Sequence, residues 1–148
     1  MDVKITNNAD KFRDALPGQI EKALIAIGMT AESHAKRKCP VDTGRLRNSI
    51  TYLVSGQGPK TVEYTARERY TTKTGKKSKG RKTVKYSYQT GDASGDTSQS
   101  VYIGTNVEYA AAVELGTSKM AARPFLKPAA TEHSKEYKKL VEMALKGE

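Results

Sequence analysis

The chain has 148 residues, 36% of them hydrophobic, which suits one small core and falls short of two domains. A lone Cys, Cys39, excludes an internal disulfide, and no stretch approaches the ~20 apolar residues of a membrane span. The formal net charge is +10, and Arg67 to Lys85, with nine Lys or Arg against Glu68 alone, carries +8 of it.

One domain over residues 1–148 is expected, with residues 60–99 an extended hairpin and polar loop inside it. The opening MDVKITNNAD lacks the apolar segment of a signal peptide, and the single thiol suits a reducing interior, so a soluble protein made in a cytosol is expected. A core this small favours association with further copies.

Val3 and Ile5 alternate with polar neighbours and predict a short opening strand. Phe12, Leu16, Ile20, Leu24 and Ile27, continued by Ala31 and Ala35, recur every three or four residues and place one apolar stripe on a helix. Pro17 is tolerated at a first helical position, so the helix is predicted over 17–38 with a turn before it. Cys39-Pro40 ends it, because the residue before Pro is pushed out of the helical region. Val41-Asp42-Thr43-Gly44 reads as a tight turn, used either structurally or as an interaction surface. From Asn48 the period changes to two. Ile50, Tyr52 and Val54 share one face of a predicted strand, Thr51 and Leu53 the other, and Gly56-Gln57-Gly58-Pro59 closes it.

Val62, Tyr64 and Ala66 alternate again, as do Val84, Tyr86 and Tyr88 beyond the basic centre. These predict two strands of a long hairpin around residues 74–80, a tip too charged and Gly-rich to pack and mobile when unbound. A polar loop follows over 90–99. Val101 and Ile103 form a last strand ending at Gly104. Asn106 is a predicted N-cap for a short helix over 107–115, with Gly116 its C-cap. After Arg123-Pro124-Phe125-Leu126, Pro128 opens a closing helix with Ala129, His133, Tyr137, Leu140, Val141 and Ala144 on one side. The order β–α–β–β–β–β–α–α predicts an α+β fold. An antiparallel sheet would carry a long N-terminal helix, a short helix and a C-terminal helix, with a long basic β-hairpin arm.

No catalytic constellation emerges. Glu114 is a lone carboxylate with no acid/base complement. His34 and His133 lie far apart with no Cys or carboxylate at ligand spacing, so no metal site is expected. Cys39 has no His placed to activate it and reads as a buried, inert thiol. The Gly-Lys-Lys-Ser-Lys-Gly run lacks the spacing of a phosphate-cradling loop. No cofactor is expected, and the chain reads as a non-enzyme. The candidate interaction residues are the cations of the arm: Arg67, Arg69, Lys73, Lys76, Lys77, Lys79, Arg81, Lys82 and Lys85. The arm has three open readings: it meets DNA phosphates, docks on an acidic partner ring, or is a solvated loop. Contact with DNA would be non-specific and salt-dependent. Tyr64, Tyr70, Tyr86 and Tyr88 either stack on bases or, the better reading, pack across the hairpin. Glu114 is expected to pair with Arg45 or Arg123, within the subunit or across to the next. Phe125, beside Arg123, is either a docking anchor or core under the final helix.

Three segments, taken together and in order, resemble a known family. Pro40-Val41-Asp42-Thr43-Gly44-Arg45-Leu46-Arg47-Asn48-Ser49-Ile50, preceded by Ala35 and Cys39, is similar to its P-x-x-T-G-x-L-x-x-S-I signature. Val101-Tyr102-Ile103-Gly104 follows, with Tyr109-Ala110 and Glu114-Leu115-Gly116-Thr117, and then Arg123-Pro124-Phe125-Leu126-Lys127-Pro128-Ala129. The pattern resembles the tail-component proteins (tail-completion, neck or head–tail joining) of long-tailed double-stranded-DNA phages and prophages. The stretch from Arg67 to Gln99 departs from it, being longer and more basic. The resemblance implies a non-enzymatic virion protein in a ring, of six-fold order, between head-closure and tail-terminator or tail-tube proteins. The resemblance is compatible with a monomeric subunit before assembly, and implies that genomic DNA passes through the lumen. The rival expectation is a free, non-enzymatic nucleic-acid-binding protein using the basic arm. A small nuclease or toxin would need an acid/base or metal cluster.

Overall fold

The computed structural model describes residues 9–71, 74 and 77–147. The predicted opening strand at Val3 and Ile5 lies outside them, as do Lys73 and Lys76 of the arm. The longest element is helix α1, Ala9–Lys38. Of its predicted stripe, the Phe12 side chain lies outside the described ones; Leu16, Ile20, Leu24 and Ile27 are half-buried, and Ala31 and Ala35 are buried. Pro17 lies inside α1 rather than at its start. The missing N–H leaves the Arg13 carbonyl without its helical partner. Pro17 and Gly18 are exposed, so water replaces that bond cheaply. Lys36, Arg37 and Lys38 occupy the last turn, where cations complement the negative end of the helix dipole.

Helix α2, Arg45–Ser49, stands where the signature was expected to run from turn into strand. Gly44 precedes it at φ 80°, a left-handed conformation that favours glycine, and Thr43 Oγ1 accepts the Arg45 N–H at 3.2 Å. The strand therefore begins at Thr51 and not at Asn48. Strand β1, Thr51–Val54, pairs antiparallel with β4, Val101–Gly104, with Tyr52 opposite Ile103 and Leu53 opposite Tyr102. The Tyr52 face lies on α1. A Cβ on Gly28 would sit 2.3 Å from Tyr52 Cδ2, so only glycine admits this ring. Strands β2, Thr61–Thr71, and β3, Lys77–Gln89, form the hairpin. Among the described residues they make a separate two-stranded sheet, so the single sheet of the sequence reading is two ribbons. The polar loop after β3 is bonded to the turn after β1: Gly56 N–H donates to Ala93 O at 2.7 Å, and Ala93 N–H to Gln57 O at 3.0 Å.

The chain ends in three helices: α3, Ala110–Leu115; α4, Leu126–Thr131; and α5, Ser134–Leu145. Helix α3 starts three residues later than predicted, with Tyr109 and not Asn106 at its N-cap position. Thr105 Oγ1 instead accepts the Val107 N–H at 3.2 Å, closing a turn that Asn106 was expected to begin. Gly116 is the C-cap as predicted, at φ 76°. The single closing helix is broken at Glu132 and His133 into α4 and α5. The core joins Ala35 of α1, Cys39 just past its end, Leu46, Ile50, Val107, Ala110, and Phe125 with Ala129 at α4. The fold is α+β, with the long helix and the C-terminal helices packed around two antiparallel ribbons.

Candidate functional site: the two faces of the hairpin

The hairpin register follows the period-two pattern of its sequence. Val62 faces Tyr88, Tyr64 faces Tyr86 and Ala66 faces Val84. These even-numbered residues form the inner face, where Tyr64 (8% exposed) and Ala66 (3%) are buried. The Tyr64 and Tyr86 rings stack with centroids 5.3 Å apart, and Tyr88 meets Tyr64 edge-on at 6.2 Å. Tyr88 Oη donates to the Ser49 carbonyl at 2.6 Å, and burial pushes its hydroxyl pKa up to about 12. The Arg45 guanidinium lies 4.9 Å over the Tyr86 ring, and Tyr86 donates to Glu68. Three of the four arm tyrosines thus pack across the hairpin and onto α2. The fourth, Tyr70, is 39% exposed and covers Gly80, where a Cβ would stand 3.0 Å from the ring.

The outer edge of β2 is closed by the signature segment. Arg67 N–H donates to Thr43 O at 2.8 Å, and Asn48 Nδ2 donates to Thr65 O at 2.7 Å. The Thr43-Gly44 turn therefore caps a strand edge, a structural use. No sequence signal pairs these residues. Their separations, 24 residues for one bond and 17 for the other, are too long for a local motif.

The odd-numbered residues form the outer face, and all whose side chains are described there are exposed: Thr61, Glu63, Thr65, Arg67 and Arg69 on β2, and Arg81, Thr83, Lys85, Ser87 and Gln89 on β3, with Glu63, opposite Ser87 at the base, the acid among them. Arg69 stands directly opposite Arg81. Like charges placed so are destabilising, and Arg81 is relieved by reaching back to Asp42, to its carbonyl at 3.0 Å and its carboxylate at 3.5 Å. Of Arg67, Arg69, Arg81, Lys82 and Lys85, only Arg81 has a carboxylate partner among the described residues. Lys82 shares the inner face, opposite Glu68, and projects past the body into solvent. Lys77 and Lys79 belong to β3, so the ladder runs further toward the tip than predicted.

Glu114 does not meet Arg45 or Arg123 within the subunit. Its Oε2 accepts the N–H groups of Phe125 (2.7 Å) and Leu126 (3.0 Å), and Oε1 that of Lys127 (2.8 Å). These are donors of the first turn of α4, which have no partner inside their own helix. Burial raises the Glu114 pKa, but the three N–H bonds outweigh it and hold the carboxyl below its ordinary range. Arg45 meets Glu108 at 3.7 Å, and Arg123 donates its backbone N–H to Val113 O. Phe125 is core, at 0% exposure. Cys39 is buried, and loss of hydration lifts its thiol pKa to about 11, which keeps it protonated and inert.

His34 and His133 prove to be neighbours, contrary to the expectation from their distance in sequence. Their rings stack at 3.5 Å, with planes 3° apart. His34 Nε2 lies 2.7 Å from Glu136 Oε2, and an Arg37 nitrogen lies 3.2 Å from its Nδ1. A guanidinium can only donate, so Nδ1 accepts and Nε2 carries the proton given to Glu136. Donor atoms of His34, His133 and Glu136 come within 4.8 Å of one another. Face-to-face rings send their in-plane lone pairs side by side, however, and shared coordination would require them to splay. The cluster clamps α5 onto α1.

Comparison with known proteins joins this geometry to a lineage. The model of the HK97-gp10-like family, described as a bacteriophage tail component, matches residues 4–116. That span takes in α1, the signature segment, both ribbons and α3. The chain belongs to this family of phage tail-component proteins; it is a virion structural protein and not an enzyme. No curated protein and no solved structure matches it.

Proposed function

We propose that the protein completes the phage neck, assembling into a ring of six copies between the head-closure proteins and the tail terminator or tail tube. The observation that carries this reading is the family match across residues 4–116. Two features of the surface support it. A closed ring of identical subunits needs a head-to-tail interface, and an open strand edge supplies one. Thr65 and Arg67 turn their backbone groups away from β3, so the alternation of an antiparallel ladder turns those of Thr83, Lys85 and Ser87 to the other edge of the ribbon. Among the described residues nothing pairs with that edge. Apolar side chains are also open to solvent: Val41 (53% exposed), Tyr109 (40%) and Met120 (39%) line a 460 Å³ groove, and Leu115 (78%) is exposed at the end of α3.

Cryo-electron microscopy of particles carrying this protein tests the reading directly. Density for six copies around the channel below the portal is expected. Its presence elsewhere in the particle, or its absence from finished particles, would overturn the assignment.

A further inference from the structure

We infer that the outer face of the hairpin is a nucleic-acid backbone contact, made by Arg67, Arg69, Arg81 and Lys85. The first argument is placement. Residues two apart on a strand are about 6.7 Å apart; Arg67 and Arg69 stand at that interval on β2, and Arg81 and Lys85 at twice it on β3, all on the side turned from the body. The inner face is spent on tyrosine packing, so the cations are presented and the aromatics are withheld. Contact is with phosphates and not by base stacking. Thr83 lies between Arg81 and Lys85, opposite Arg67, and Thr65 stands opposite Lys85; their hydroxyls donate to phosphate oxygens as well. Three of the four cations are arginines, whose planar fork matches a phosphate.

The second argument is charge. Arg67 to Lys85 carries +8 of the formal +10, so the remaining residues total +2. A second copy of this chain therefore has no net negative charge with which to neutralise the arm. Asp92 and Asp96, the acids of the polar loop, already accept bonds from Ser94, Ser98 and Tyr102. Asp42 answers Arg81 alone, so Arg67, Arg69 and Lys85 stand on an exposed face with no carboxylate partner among the described residues, which calls for a dense anion from outside. The choice of duplex DNA as that anion rests on the neck reading; the face itself does not.

The test uses the purified full chain and a labelled 30-base-pair duplex of random sequence, followed by fluorescence anisotropy between 50 and 200 mM NaCl. Four phosphate contacts predict a log–log salt slope of about −4 or steeper, and an affinity loss of about 100-fold or more over that range. The triple variant Arg67→Ser, Arg69→Ser, Lys85→Ser should fold as the parent does by circular dichroism, because all three side chains are exposed. Its slope should shrink by about 3. A control triple variant on α5, Lys135→Ser, Lys138→Ser, Lys139→Ser, removes equal charge and should bind within about twofold of the parent. Equal loss in both variants, or no binding at 50 mM salt, overturns the inference. So does a poly-aspartate chain that binds as tightly and depends on the same three residues, since that would make the partner an acidic protein. Single-stranded RNA bound more tightly than the duplex would overturn the choice of DNA. Binding needs no ring, so failure here leaves the neck assignment standing. A chain that binds DNA but never enters particles sinks that assignment alone.

Discussion

Both oxygens of Glu114 face the start of α4, and the consequence is a measurable one. The carboxylate fixes the segment after Arg123, which seats Phe125 in the core. Glu114→Gln keeps one acceptor oxygen but loses the charge. It should cost about 1–2 kcal/mol by urea unfolding at pH 7, since charge-assisted bonds to backbone donors are replaced by weaker ones. The folded-state pKa of Glu114 is depressed, so its contribution is complete above the ordinary value of 4.5 and fades as pH falls through the lower folded value. The gap between parent and variant should therefore be full at pH 7 and shrink as the pH falls below 4.5. A gap of constant size across that fall would mean that the side chain acts through packing alone. Sequence reading identified Glu114 as unusual but assigned it a cation, because a lone acid among arginines suggests an ion pair. The donors it meets belong to backbone, and backbone carries no letter in the sequence.

At the scale of elements, period-two alternation made the hairpin legible, and the structure adds its register. The same alternation predicts a contrast between adjacent residues. Ala66→Glu places a charge on a position 3% exposed against α2 and should destabilise the fold by about 3 kcal/mol in a urea titration. Thr65→Glu, one residue away on the exposed face, should change it by no more than about 0.5 kcal/mol. Equal effects would contradict the assignment of faces. Helix α1 offers a second test, in which two effects oppose. Gly to Ala inside a helix gains about 1 kcal/mol of propensity. At Gly28, though, the new methyl meets the Tyr52 ring at 2.3 Å, at its root and not at a flexible end. Overpacking costs about 1–3 kcal/mol and should win, so Gly28→Ala should lower the melting temperature. What escaped the sequence has physical causes. Helix α2 has five residues and one buried apolar side chain, Leu46, too little for a periodic signal. The break between α4 and α5 falls at His133, which stacks on His34, a contact between residues 99 positions apart that no local pattern encodes.

For the whole molecule, edge and face of the same ribbon have separate roles. The outer edge of β3 is the proposed seat of a neighbouring copy, and the outer face of the ribbon is turned to an anion. Both can be engaged at once because they lie at right angles. Ser87→Pro separates them. Its N–H points to the open edge and bonds nothing among the described residues, so removing it should leave the monomer within about 1 kcal/mol of the parent. The proline ring blocks strand addition from outside. Sedimentation of the purified chain, with head-closure protein supplied as a template, should show rings for the parent and single subunits for the variant. Duplex binding by the isolated variant should be unchanged, since Arg67, Arg69, Arg81 and Lys85 remain on the outer face. Rings that form normally with Ser87→Pro would move the subunit contact away from β3. The exposed apolar side chains would then be the next to disrupt, by Leu115→Lys, which at 78% exposure changes little inside the subunit.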